Sequence, residues 1–288
     1  MDVLKYRLLT AVILIPIVIA ALFLLSPANF GLVVIAVCAL GAWEWAQFAG
    51  WHSPAKRIGL AVVFAVALLA IQFSLLDMTA LANSSFILYS LWAGLIWWIA
   101  AILLVVTYPA SASWGKSVII RLLFGVLTIV PFYSGMMVLR TIGYQADTSV
   151  GAWWLLYVML LVWGADSGAY AFGRTIGRNK MAPKVSPGKT WEGLIGGLIT
   201  AGIISWLFSL YAPIPAMPDY LLVTSIIVVV VSVFGDLTES MFKRQSGIKD
   251  SSHLIPGHGG ILDRIDSLTA AIPVFAGLNL LVFNGFGL

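Results

Sequence analysis

Apolar residues run through this chain in long unbroken blocks, without the three-and-four spacing of an amphipathic helix or the alternation of a half-buried strand. Blocks of 18 or more mostly apolar residues recur from end to end. A helix needs about that length to cross a bilayer core of roughly 30 Å. They predict nine spans, at 8–25, 28–50, 59–76, 86–108, 118–138, 152–172, 190–212, 219–242 and 264–284. The expected fold is an all-α integral membrane protein, a polytopic bundle of about nine transmembrane helices. Lys5 and Arg7 precede the first block as in a secretory signal. It has no convincing A-x-A cleavage site and leads straight into a second span, so it reads as a retained helix. The connections at 26–29 and 51–57 read as plain turns. Trp43, Trp45, Trp51, Trp92, Trp97 and Trp98 fall at or near predicted span ends and read as an interfacial aromatic belt.

Composition agrees: 61% of the 288 residues are hydrophobic and 10% charged, which no soluble globular domain shows. The net charge of +4 is explained by topology and not by nucleic acid. With the N-terminus in the cytoplasm, 15 of the 16 cations fall on or near the cytoplasmic face and only Arg140 outside. That distribution is the positive-inside rule. The one cysteine, Cys38, has no partner for a disulfide or a metal site and reads as a small buried apolar side chain.

Polarity divides the chain. Residues 1–150 hold spans one to five, with Glu44 the one carboxylate inside a span. Residues 151–288 hold spans six to nine and two polar cytoplasmic loops, 173–189 and 243–263. Asp166, Glu192, Asp236, Glu239, Asp263 and Asp266 lie on the helices bordering those loops. Ionisable groups in or beside membrane spans are costly and usually mark a site, so a cytoplasm-facing polar active site is expected in this second half.

Asp236, Glu239, Ser240 and Lys243 follow spacings of three, four and seven, which places them on one helix face. Asp236 then sits roughly 10 Å below the loop by helical rise, where a lone carboxylate demands a partner. Asp263 and Asp266, three apart, can face one way near the start of the next helix, where they also suit the helix dipole. Oxygen ligands from two helices, completed by water and phosphate, suit Mg²⁺. Between them, Gly257, Gly259 and Gly260 flank His258 in a loop whose backbone N–H groups can approach a ligand. With Lys243, Arg244, Lys249 and Arg264 nearby, the stretch reads as a phosphate-plus-metal site.

In the other loop, residues 183–190 look superficially like a Walker loop, but Pro183 stands where the first glycine belongs and a membrane helix follows. Ser186 and Pro187 read there as N-cap and first helical residue. Five cations within residues 174–189 suit an anionic headgroup at the membrane surface.

The run Ser240-x-x-Lys243-Arg244-x₄-Lys249-Asp250, followed by Pro256-Gly257-His258-Gly259-Gly260-x-x-Asp263-Arg264-x-Asp266, resembles the signature of the phosphatidate cytidylyltransferase (CDP-diacylglycerol synthase) family. Residues 166–170 and 186–193 resemble further patterns of that family, although Gly188 stands where it commonly has a second lysine. The resemblance implies that CTP and phosphatidate react to give CDP-diacylglycerol and pyrophosphate, with Mg²⁺ required and the number of ions open. It implies a homodimer in the lipid bilayer, of the bacterial cytoplasmic membrane; the cation placement already argues for no nucleic-acid partner. Under it, Asp236 and Asp263 are the expected metal ligands, with Asp266 close by. Lys243, Arg244, Lys249 and Arg264 would meet phosphates, with Ser240, Gly259 and Gly260 beside them. His258 would face pyrophosphate, Asp166 would orient the nucleotide or a bound water, and Lys189, with Ser186, would face phosphatidate. A CTP-dependent polyprenol or phytol kinase would use similar loops but lacks the full glycine-histidine-aspartate run. A CDP-alcohol phosphotransferase needs a spaced Asp-Gly pattern that is absent. A transporter would carry charge near the midplane in both halves.

Overall fold

The nine predicted spans are found as nine helices in a computed structural model that describes residues 2–74, 84–213, 218–255, 257 and 259–282. They are α1 (Asp2–Leu24), α2 (Pro27–Phe48), α3 (Pro54–Ser74), α4 (Ser85–Val106), α5 (Val118–Thr141), α6 (Val150–Thr175), α7 (Trp191–Tyr211), α8 (Pro218–Gln245) and α9 (Leu262–Gly277). A π-helical turn, Leu278–Val282, continues α9. Eight of these are long and apolar enough to cross a membrane, while the fully described apolar part of α1, Val12–Leu24, is shorter. The protein is an integral membrane protein.

The turns start helices by ordinary chemistry. Ser26 caps α2 by accepting from Asn29 N at 3.4 Å, and Pro27 follows where its missing N–H costs nothing. Helix α9 is the central element: nearly all of Ser267–Gly277 is buried, against α4, α5, α6 and α8. In lipid, close approach takes the place of a hydrophobic driving force, and small residues permit it. Gly193 and Gly197 of α7 lie so near α6 that a Cβ on either would sit 2.9 Å from the carbonyl of Ala169 or Ala165.

Alternate connections gather at one end of the bundle, as nine alternating passes require. There Arg121 Nη1 donates to Phe48 O at 3.0 Å, Ser246 Oγ to the same carbonyl at 3.4 Å, and Arg244 Nε to Val185 O at 3.3 Å. Arg140, the cation expected on the opposite face, is buried with the connections of the other end. It donates to Leu25 O at 2.7 Å and Thr148 O at 3.2 Å.

Two expectations need correction. The 173–189 segment is not plain loop: β1 (Lys180–Ala182) and β2 (Ser186–Thr190) pair antiparallel and β2 runs directly into α7. Ser186 therefore opens a strand and is no helix cap. Thr190 caps α7 instead, accepting from Gly193 N at 3.1 Å, because Pro187 is as compatible with an extended strand as with a first helical turn. The aromatic belt is partly core. Trp45, Trp97 and Trp98 are buried around Phe124 and Phe242, with ring centroids 4.6–6.2 Å apart in Trp45–Phe242, Trp97–Phe124 and Trp97–Trp98. Trp97 and Trp98 lie mid-helix, and their neighbours supply the packing that an interface would leave to headgroups. Cys38 is buried as expected.

Candidate active site

The polar face of α8 forms as its spacing predicts. Ser240 Oγ donates to Asp236 Oδ1 at 3.2 Å, and Lys243 Nζ lies 3.4 Å from Glu239 Oε2 one turn away. What the spacing does not show is the partner each charge takes from another element. Asp236 Oδ2 pairs with Lys189 Nζ at 2.8 Å, and the same ammonium donates to Val233 O at 3.0 Å. Lys189 comes from the end of β2, so the hairpin's direct run into α7 is what delivers it. Asp166 on α6 interacts with both Lys189 and Asp236 from the third side.

Helix α9 brings the second carboxylate pair. Asp263 Oδ1 meets Lys243 Nζ at 2.8 Å, while Oδ2 accepts from Gly260 N at 2.7 Å and from both Ser251 N and Ser251 Oγ at 3.0 Å. Its four interactions fold the α8–α9 loop back onto the helix start. Gly259, with φ +82°, needs its missing side chain twice over, since a Cβ there would sit 2.6 Å from Asp263 Oδ2. Asp266, one turn on, accepts from Ser267 N at 2.7 Å and interacts electrostatically with Glu239 and Asp236.

Glu44 was singled out only as a charge within a span, and its role is set by the α8–α9 loop. It is fully buried on α2. Oε1 accepts from Ser252 Oγ at 2.5 Å and Ile261 N at 2.9 Å, and Oε2 from Leu262 N at 2.7 Å and Ser251 Oγ at 3.0 Å. Gln47, one turn along, donates to Ser251 O at 2.5 Å. The first half of the chain thus touches the site, through the one apolar-span carboxylate the sequence displays there.

The remaining expected residues lie at the rim. Arg244, Lys249 and Arg264 are exposed, and Gly260 is buried against Ser251 and Glu44. Ser186 lies on β2, in the strand that ends with Lys189 and Thr190. His258, together with Pro256, lies outside the described residues. Glu192 turns away from this cluster and fastens the hairpin, accepting from Asn179 Nδ2 at 2.7 Å.

Five carboxylates, Asp166, Asp236, Glu239, Asp263 and Asp266, thus gather about the ammonium groups of Lys189 and Lys243. Both oxygens of Glu239 are buried, and its charged neighbours are the Lys243 ammonium, 3.4 Å from Oε2, and the Asp266 carboxyl. Hard carboxylate oxygens are the donor set of Mg²⁺, so the residues fit such an ion by chemistry. Among the described residues no three of the acids already converge on one point as ligands. Lys189 and Lys243 hold the Asp236 and Asp263 oxygens that an ion would take.

The chain as a whole is similar to known proteins. A protein named phosphatidate cytidylyltransferase from Haemophilus influenzae is 48% identical over 281 residues, covering 95% of this chain and 97% of that protein. One of the same name from Pseudomonas aeruginosa is 47% identical over 276 residues, covering 96% of each. Another, from Bacillus subtilis, is 38% identical over 149 residues, covering 52% of this chain and 55% of that protein. The sequence pattern of the cytidylyltransferase family matches residues 5–282, and the chain belongs to that family.

Proposed function

We propose that this chain is a phosphatidate cytidylyltransferase, transferring the CMP group of CTP to phosphatidate to give CDP-diacylglycerol and pyrophosphate for phospholipid synthesis. The observation that carries the reading is the convergence of the signature residues Lys243, Asp263 and Asp266 with Asp236 on one charged cluster at the cation-rich end of the bundle. The names of relatives that match almost the whole chain support it.

The chemistry asks for little from a base. A phosphate monoester oxygen of phosphatidate already carries negative charge near neutral pH and attacks the α-phosphorus of CTP while pyrophosphate leaves. The difficulty is to bring two anions together and to stabilise the leaving group. Arg244, Lys249 and Arg264 at the rim draw in and hold the phosphates, with His258 assigned to pyrophosphate. Ser240 and the backbone of Gly259 and Gly260 shape the floor. Lys189 faces the lipid phosphate, with Ser186 on the same strand, and Asp166 orients the nucleotide. Because Lys189 and Lys243 rest on carboxylates, an arriving phosphate competes with those carboxylates for their charge. Asp236 and Asp263, with Asp266 and Glu239 beside them, would hold Mg²⁺. When bound, such an ion neutralises phosphate charge and polarises the reacting phosphate.

Purified protein incubated with labelled CTP, Mg²⁺ and phosphatidate is expected to yield labelled CDP-diacylglycerol, and none when EDTA replaces the metal. A phosphorylated lipid with release of CDP would replace this reading by a lipid kinase, and no product by a non-enzymatic role.

The reading extends to the membrane. The site faces the cytoplasm of a bacterial cell, from the cytoplasmic membrane, with the N-terminus on the same side. The grouping of the cation-bearing connections at one end supports this. The resemblance further suggests a homodimer, with residues 151–288 as its catalytic region. Reporter fusions within 176–190 and after residue 288 are expected to report opposite compartments. Equal compartments would sink the nine-pass arrangement.

A further inference from the structure

The first half of the chain supplies a group that the reaction scheme above does not use. Glu44 is a carboxylate in the body of α2, fully buried, and among the described residues its four hydrogen bonds go to one segment, residues 251–262. Each oxygen takes one hydroxyl and one backbone amide. Two of those amides, Ile261 N and Leu262 N, belong to the first turn of α9, whose N-cap residue, Ile261, has no capping side chain of its own. The exposed N–H groups of a helix start need acceptors, and Glu44 provides them from another helix.

The contact is shaped for this purpose. A Cβ on Gly260 would run into Ser251 Oγ and Glu44 Oε1, and a Cβ on Gly41 would meet the Leu262 side chain at 3.2 Å. Glycine at both places lets the start of α9 settle onto α2. Ser251 then joins the anchor to the reacting cluster. Its hydroxyl lies 3.0 Å from Glu44 Oε2 and 3.0 Å from Asp263 Oδ2, and it has one proton to share between them. When the proton turns to Glu44, Asp263 Oδ2 is left with the amides of Ser251 and Gly260 and is freer to take another cation.

We infer that Glu44 is a positioning residue of the transfer reaction: through Ser251, Ser252 and the first amides of α9 it fixes Asp263 at the distance the substrates require. The inference rests on the cytidylyltransferase reading. A displacement of about 1 Å in a reacting constellation costs on the order of 10²-fold in rate, so loss of the anchor should fall on turnover and less on substrate affinity.

The test compares wild type, Glu44→Gln and Glu44→Ala in mixed micelles. Steady-state kinetics is combined with hydrogen–deuterium exchange of the membrane-embedded protein. Gln keeps one oxygen and therefore one hydroxyl–amide pair; Ala keeps neither. The expected result is a graded loss of kcat, about 10-fold for Gln and about 10²-fold for Ala, with KM for CTP and phosphatidate within about threefold of wild type. Exchange should quicken in the same order in peptides covering 251–262 and stay unchanged in 268–276 of α9. Turnover of Glu44→Ala within threefold of wild type would overturn the inference. So would quickened exchange throughout the protein, which would make Glu44 an ordinary fold anchor. If the wild type forms no CDP-diacylglycerol, the functional reading falls separately, and unchanged exchange in 251–262 would then remove the anchor as well.

Discussion

Asp263→Asn is expected to reduce turnover by about three orders of magnitude and to lower the melting temperature by several degrees. In the native protein one carboxylate oxygen accepts three donors and the other faces the Lys243 ammonium. Asparagine can satisfy one of these sides, not both. If its oxygen stays with Ser251 and Gly260, its amide NH₂ points at Lys243, donor against donor; the flipped rotamer sets NH₂ against three donors. Hydrogen bonds to charged groups contribute about 1.5–3 kcal/mol each, so the stability loss is real but survivable. The rate loss has a second source, since the substituted group no longer offers charge to a cation. Initial rates should be taken well below both melting temperatures. Turnover within tenfold of wild type would reduce Asp263 to a carboxylate that serves the dipole of α9.

Lys243→Met is expected to be still more damaging to the fold. Its ammonium is the countercharge shared by Asp263 at 2.8 Å and Glu239 at 3.4 Å, whose side chains are 6% and 5% exposed. Methionine fills much of the volume but leaves both carboxylates buried and facing Asp266. Removing one partner of a buried pair typically costs about 3–5 kcal/mol, mostly the cost of the charge left behind. The double variant Lys243→Met, Asp263→Asn should therefore be less destabilised than the sum of its parts, by up to about 3 kcal/mol. Strict additivity, measured by denaturation in the same micelles, would remove the pair from the account.

Much of this was legible from residue order. Nine spans follow from the length of hydrocarbon a bilayer demands, and the shared face of Asp236, Glu239, Ser240 and Lys243 follows from the helical repeat. Helical spacing says nothing about which helix lies opposite. Lys189 and Lys243 were expected at phosphates, and both have a carboxylate partner in the fold. The pairing depends on how α7, α8 and α9 pack, which no local pattern encodes. The hairpin was missed because β1 and β2 have three and five residues, one a proline, too few for alternation to register. Thr190 lost to Ser186 as the expected cap because Pro187 favours a helix start and a strand alike. Glu44 was visible as an anomaly, but its partners lie more than 200 residues away.

That separation is also an interval of time. At about 5–20 residues per second, the ribosome needs roughly 10–40 s after making Glu44 to produce the 251–262 segment. Throughout that interval α2 enters the bilayer with a carboxylate whose four hydrogen-bond donors have not been synthesised. Arg57 is already present during the wait. It is made within seconds, lies 3.4 Å above the ring of Trp43, donates to Trp43 O at 3.3 Å, and its charge interacts with Glu44. The α2–α3 hairpin can thus enter the membrane with a cation in electrostatic reach of Glu44, and α9, last of the described helices to emerge, docks on that carboxylate.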